Sequence, residues 1–282
     1  MNNELIRDND KEKGRTHLDS RFMRESLVDR AVLSTAEVID EIAILPYLDV
    51  ISIGGKSIID RGKSAVFPLI EELLTLVGKF KFAVGVTGGV RVKHAMAIGL
   101  DFGLPVGGLA MIVGANEEQN ANMMYSLMAK HGAVRVPKDN YADLPHYLVD
   151  NMIPILTLNP PHHYWEKPPR KGVLPESGAD FGAYMTAEGM GSRSMIFVKD
   201  QDGLYDKDPE KHADAKHIER ISAQEILAGD FEDLIIDRMV IEMLAKARHL
   251  KEIHIVNGLK PGNIVKAING QNGGTIIYKK EA

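Results

Sequence analysis

Apolar residues follow two rhythms along this chain. Val50-Ile-Ser-Ile53, Phe82-Ala-Val-Gly-Val86, Met195-Ile-Phe-Val198 and Ile253-His-Ile-Val256 are short runs rich in β-branched residues. Each is closed by glycine or by a polar, turn-forming pair, so each predicts a strand. Ala133–Val136, Ile153–Leu158 and Thr275–Tyr278 predict three more. Between them the spacing turns helical. Val66, Leu69, Ile70, Leu73, Leu74 and Val77 share one face at three- and four-residue intervals and predict a helix over 64–77. Helices are also expected over Ala95–Leu100, Glu117–His131 and Arg238–His249, and Ser222-Ala-Gln-Glu225 is a capping box.

Strands alternating with helices predict an α/β fold with a mainly parallel sheet covered on both faces. Ligands of such sheets sit beyond the carboxyl ends of the strands. Those ends are Gly54-Gly55, Gly88-Gly89, Lys199–Gly203 and Asn257-Gly258. Two regions stand apart. Residues 1–45 are charged and weakly periodic, with one short helix expected near Glu25–Ile39, and read as an arm or oligomer contact. Residues 159–169 carry four of the 13 prolines, the only Trp and the pair His162-His163. Proline at that density excludes a helix or a central strand and predicts a stiff connection.

Composition narrows the chemistry. The 282 residues include no Cys, which removes disulfides, thiolate metal sites and Cys nucleophiles. With 34 Lys+Arg against 39 Asp+Glu, the net charge of −5 gives no basic footprint for nucleic acid. No apolar run reaches the ~20 residues of a membrane span, and the N-terminus lacks the apolar core of a secretory signal. The expectation is a soluble, cytoplasmic protein with neither nucleic acid nor membrane as partner.

Gly55-Lys56-Ser57 and Gly62-Lys63-Ser64 imitate the end of a P-loop, but the earlier glycine is Val50 in one and Ser57 in the other, so the pattern fails. No G-x-G-x-x-G follows a strand. What is left is a looser anion cradle from Gly54-Gly55 and Gly88-Gly89, each between a strand and a helix, with Lys56, Arg91, Lys93 and His94 close behind. Asp200-Gln-Asp-Gly-Leu-Tyr-Asp-Lys-Asp-Pro209 leaves a strand end, where its carboxylates suit Mg²⁺ or a ribose and Tyr205 suits a base. His162-His163 could ligate a metal, although a His pair on a loop is more often a surface or interface feature.

Taken together, Ile53-Gly-Gly-Lys-Ser, Gly85-Val-Thr-Gly-Gly89, Gly178-Ala-Asp180, Lys199–Pro209 and Ile255-Val-Asn-Gly258 resemble the amino acid kinase superfamily. Ile58–Glu72, Ser192–Lys199, Val256–Asn263 and Pro160-Pro-His-His-Tyr-Trp165 are similar to its molybdenum-storage branch, in particular to the alpha-type subunit, more than to the related UMP kinases. The resemblance implies a three-layer αβα sandwich around about eight mostly parallel strands. It implies one domain over 46–282, with an anion- or cluster-binding half over 46–170 and a nucleotide-binding half over 171–282. Lys199, Asp202, Gly203, Tyr205, Asp208, Pro209 and Asn257 would surround ATP with its Mg²⁺. Gly54, Gly55, Gly88 and Gly89 would cradle the γ-phosphate, Asp180 would be the active-site carboxylate, and His163 with His162 would ligate the stored metal.

The implied function is storage of molybdate or tungstate as polyoxometalate clusters, driven by ATP inside a hexameric cage built with a homologous second subunit or with copies of itself. The alternative is a nucleoside monophosphate kinase, or a catalytically silent paralogue of one. Three departures bear on catalysis. Ser52 stands where the family has a lysine, Ala179 replaces a hydroxyl residue before Asp180, and Thr87 replaces a glycine. Losing a charge-stabilising group at a transferred phosphoryl costs ~10²–10³ in rate. The expectation is a subunit that binds ATP or clusters while a partner hydrolyses, with Lys56 as the candidate substitute cation.

Overall fold

The structure is a computed structural model that describes residues 42–158, 178–229, 231 and 234–280. The chain divides into two compact units, Met1–Ile42 and Ala43–Ala282, and the second contains the whole sheet. The arm expected over 1–45 lies almost wholly outside the described residues, as does the proline-rich segment with His162 and His163.

The sheet has eight strands: β1 (Leu48–Ile53), β2 (Lys81–Val86), β3 (Ala133–Val136), β4 (Ile153–Leu156), β5 (Ser194–Lys199), β8 (Arg220–Ser222), β9 (Glu252–Asn257) and β10 (Gly274–Tyr278). Their order is β3-β4-β2-β1-β5-β9-β10-β8. All neighbouring pairs are parallel except β9 with β10. Two short strands, β6 (Leu204–Tyr205) and β7 (His217–Ile218), form a separate antiparallel pair.

Period-two alternation splits the strand side chains between two cores. Val50, Ala83, Met195, Phe197, Ile253 and Ile255 enter one. Ile51, Val84, Ile196, Val198 and Val256 enter the other. Helices α5 (Ala179–Gly189), α6 (Ala223–Ala228) and α7 (Arg238–Leu244) cover the first core, together with the short α4 (Leu144–Val149). Helices α1 (Lys63–Leu74) and α8 (Asn263–Ile268) cover the second with the last turns of α3 (Val106–Met128). Helix α2 (Val90–Asp101) packs on α3. This is the expected sandwich, because a mainly parallel sheet needs apolar cover on both faces. Among the described residues no helix is long and apolar enough to cross a membrane.

Some boundaries differ from the expected ones. The helix expected from Glu117 begins at Val106, because Val106, Leu109, Ala110 and Val113 extend its buried stripe toward the N-terminus. It ends at Met128 and hands over to a 3₁₀ turn, Ala129–His131. The helix expected to His249 stops at Leu244. There the chain turns, and the Glu188 carboxylate accepts the amides of Arg248, His249 and Leu250 at 2.7, 3.2 and 2.9 Å. The capping box at Ser222 forms as expected.

At the amino ends of the central strands Asp49 is fully buried. It takes Nε and Nη2 of Arg193 at 2.9 and 2.5 Å and the Ser194 hydroxyl at 2.6 Å, stapling β1 to β5. Arg193 also donates to the Ile268 carbonyl after α8. Arg193 is 45% exposed and water would solvate it without its partner, so Asp49→Ala is expected to cost about 1–2 kcal/mol of folding stability through the lost hydrogen bonds. Urea denaturation of the two proteins measures the difference.

Candidate functional site

The site follows from topology. From β1 the chain runs through α1 to β2 on one side, while β5, on the other side of β1, leads away toward β9. The crevice between two such neighbours is where α/β sheets bind ligands. Here the Gly54 amide donates to the Val198 carbonyl at 3.0 Å and locks the first glycine turn to the end of β5.

The two glycine turns touch. The Gly55 amide donates to the Thr87 hydroxyl at 2.8 Å, and the Thr87 amide donates to the Ile53 carbonyl at 3.0 Å. A Cβ on Gly55 would lie 2.3 Å from both the Gly89 nitrogen and the Thr87 carbonyl, so no larger residue fits. Asn120 of α3 donates to the Thr87 carbonyl at 2.7 Å and accepts from Arg91. Asp60 sits over the start of α2, its carboxylate accepting the Val90 amide at 2.7 Å. Its neighbour Arg61 pairs with Asp200 at 2.7 Å, so one dipeptide ties the second glycine turn to the loop after β5. Of the four cradle glycines, Gly54 and Gly55 thus have their amides engaged within the protein. Lys56 lies on the turn after them with its side chain exposed.

Across the crevice Lys199, the last residue of β5, places its ammonium 2.8 and 2.7 Å from the two oxygens of Asp180. Both side chains are nearly dry, at 12% and 10% exposure, which makes this the driest of the charge contacts described at the site. The partner of Asp180 is therefore Lys199. Asp180 opens α5 after Gly178, and Asp237, just before α7, accepts the Phe181 amide at 3.1 Å. A Cβ on Gly178 would come within 2.3 Å of the Asp237 carboxyl, so only glycine lets that carboxyl reach the helix start. Burial first, then repulsion by Asp180, pushes the Asp237 carboxyl up to about 6.

A third carboxyl faces the same place. Glu117 of α3 is fully buried, and burial first, then Asp180, pushes it well above the usual carboxylate range. Sequence reading missed both Glu117 and Asp237. The available signal for Glu117 was a charged residue on the buried stripe that runs from Val106 through Val113 to Ala121 and Met124. Asp237 carries no such mark, since nothing local says that it meets α5.

On the far side of β5 lie the other expected residues. Asp202 takes the Asn257 amide at 3.1 Å and the Lys260 ammonium at 2.7 Å, and the Lys260 bond foremost holds its carboxyl below the ordinary value. Gly203 and Leu204 approach β10, where the Thr275 hydroxyl accepts the Leu204 amide at 2.8 Å. Tyr205 stands edge-on to His217 with ring centres 5.3 Å apart. Gly203, Tyr205, Lys207, Asp208 and Pro209 line a small recess, and Asp208 pairs with Lys211 at 2.8 Å. The structure thus gathers Lys199 with Asp180, joins Asn257 to Asp202, and keeps Tyr205, Asp208 and Pro209 around one recess. Lys260 was not foreseen. Among the described residues no three His, Asp or Glu side chains converge as a metal-binding set.

Residues 48–257 match the amino acid kinase family, and the chain belongs to that family. It is 38% identical over 260 residues to the molybdenum storage protein subunit beta of Azotobacter vinelandii, covering 92% of this chain and 96% of that one. The subunit named there is beta, where the motifs leaned toward the alpha type. A uridylate kinase of Methanobrevibacter smithii is 26% identical over 252 residues, covering 82% and 99%. The solved uridylate kinase of Archaeoglobus fulgidus superposes with a TM-score of 0.63 at 19% identity, covering 81% of this chain and 99% of that one, and shares the fold.

The Asp237 carboxyl binds its proton more tightly folded than unfolded, so what it adds to stability is greatest at acid pH. That contribution is lost as pH rises from about 4 through about 6. Asp237→Asn keeps an acceptor for the Phe181 amide without the titration. Relative to wild type it is expected to gain by up to about 3 kcal/mol between pH 4 and pH 7. Denaturation curves of both proteins across that range measure the difference.

Proposed function

We propose that this chain is a molybdenum-storage subunit. It binds ATP with Mg²⁺ beyond the ends of β5 and β9, and holds molybdate or tungstate in the half built from β1, β2 and β4. It works beside a homologous second subunit in a hexameric cage. The observation that carries the reading is 38% identity to a storage subunit over nearly the whole chain, against 26% to a uridylate kinase.

The donor set suits a nucleotide. Lys199 and Lys260 are ammonium groups beside two neighbouring strand ends, both held by carboxylates that a polyphosphate can replace as partners. Tyr205 and Pro209 supply flat apolar surface beside them. Mg²⁺ keeps several waters and is held chiefly by phosphate oxygens with one or two carboxylates, a role open to Asp202 or Asp208. Bound ATP supplies a phosphoanhydride whose hydrolysis can drive oxoanion deposition. The protein's own part is to hold the phosphates with Lys199 and Lys260, and to keep Asp180 fixed at the start of α5.

Ser52 favours storage over kinase activity. It is buried in β1 between Gly85 and Phe197 of the flanking strands, and it brings no charge to a transferred phosphoryl group. A storage assembly accommodates one subunit type that binds ATP while the other hydrolyses it. His163 is the proposed metal ligand through its neutral imidazole, with His162 as a second.

Protein incubated with molybdate and desalted is expected to retain many Mo atoms per chain by elemental mass spectrometry when MgATP and the partner subunit are present. Lys199→Met is expected to weaken ATP binding about tenfold or more, and His163→Ala to lower the Mo count. No retained Mo in any combination, together with phosphorylation of UMP in a coupled assay, would hand the chain to the kinases.

A further inference from the structure

Glu117 has no hydrogen-bond partner on either carboxyl oxygen among the described residues, although it is fully buried. A polar group left dry and unpaired costs about 1–3 kcal/mol, and more if it is charged. Such a group in a native interior calls for an explanation. The groups facing it are few. Asp180 on α5 repels it, and the Tyr141 phenol, bonded to the Thr157 carbonyl at 2.6 Å, lies within reach of its charge. Behind Asp180 stand Lys199, whose ammonium is committed to Asp180, and Asp237. Arg135 stands beside Tyr141 and gives its donors to Asn122, Thr157 and the carbonyls of Val136 and Ile155. Among the described residues no cation pairs with Glu117. Ionised, it would put a second negative charge beside Asp180 in a dry site, so the neutral acid is the favoured form. A neutral carboxyl offers one O–H donor and one carbonyl acceptor.

Its place on α3 says what could use that donor. One turn later Asn120 holds the glycine turn after β2, through the Thr87 carbonyl. On the adjoining face Gly114 and Glu118 line a cavity of about 310 Å³ with Thr157 and Leu158 at the end of β4. Glu117 is not part of that lining; it sits on α3 between Gly114, which lines the cavity, and Asn120, which holds the glycine turn, with unused hydrogen-bonding capacity. We propose that Glu117 is a further anion-binding residue of this site, donating its O–H to an oxygen of a tetrahedral oxyanion held between the Gly88-Gly89 turn and the end of β4. The neutral acid gives such a dianion a partner where a carboxylate would repel it. The inference rests on the storage reading for the choice of anion.

Two measurements on the full chain test it, with sodium molybdate as the probe. The infrared difference between wild type and Glu117→Gln at neutral pH is expected to show the carbonyl stretch of a protonated carboxylic acid, and molybdate is expected to shift it. By calorimetry Glu117→Ala is expected to bind molybdate about tenfold more weakly, while Glu117→Gln, neutral and still a donor, stays within about threefold of wild type. A purely structural role would move melting temperature and leave the infrared band where it is. Absence of the acid band overturns the proposal. So does a band unmoved by molybdate that the calorimeter shows to be bound, and the storage reading then stands. Wild type that binds no molybdate even with MgATP and the partner subunit present overturns the storage reading and the proposal with it, a result the calorimeter alone identifies.

Discussion

One ammonium answers for two of the three carboxyl groups gathered at the centre of this protein. Lys199 grips both oxygens of Asp180, while Asp237 and Glu117 press on the same carboxylate from α7 and α3. The surroundings follow from that imbalance. Asp180 has a hydrogen-bonded cation at contact distance. The other two carboxyls are pushed toward their neutral forms, since desolvation penalises a charge that no counter-ion offsets. The three carboxyls come from α3, α5 and the turn before α7, so the charge balance also records how those elements pack around the end of β5.

The same constraint explains the spacing of the site. Asp237 reaches the start of α5 only because Gly178 has no side chain, and the two glycine turns meet only because Gly55 has none. Around that contact the turns are pinned by groups from other elements: Asn120 from α3, Asp60 from the segment after β1, and the Val198 carbonyl from β5. On the side of β1 and β2 the crevice is held by hydrogen bonds within the protein. On the side of β5 and β9 it is lined by lysines on exchangeable carboxylate partners.

Much of this was legible along the chain. Every large strand of the sheet announced itself as an apolar run, and the strand ends that carry the site were visible as Gly54-Gly55, Gly88-Gly89, Lys199–Gly203 and Asn257-Gly258. Asp180, Lys199 and Asp202 stood out through a motif. Glu117 did not, because the helix was read from that residue onward and its first three turns were missed. With Val106 to Val113 restored, a glutamate appears on a buried stripe. Lys260 and Asp237 had no local signature at all.

Local order along the chain was enough to determine which segments are strands and helices, where the sheet must be covered, and which loops leave the ligand-binding edge. Those properties depend on side-chain periodicity and turn chemistry over a few residues. Tertiary structure alone decided which charges meet. Lys199 and Asp180 are 19 residues apart, Asp237 and Phe181 56, and Asn257 and Asp202 55. Their pairing depends on β5 lying between β1 and β9 and on α5 starting against the turn before α7. A carboxyl group's charge is set by what surrounds it in space, which no local window of the sequence contains.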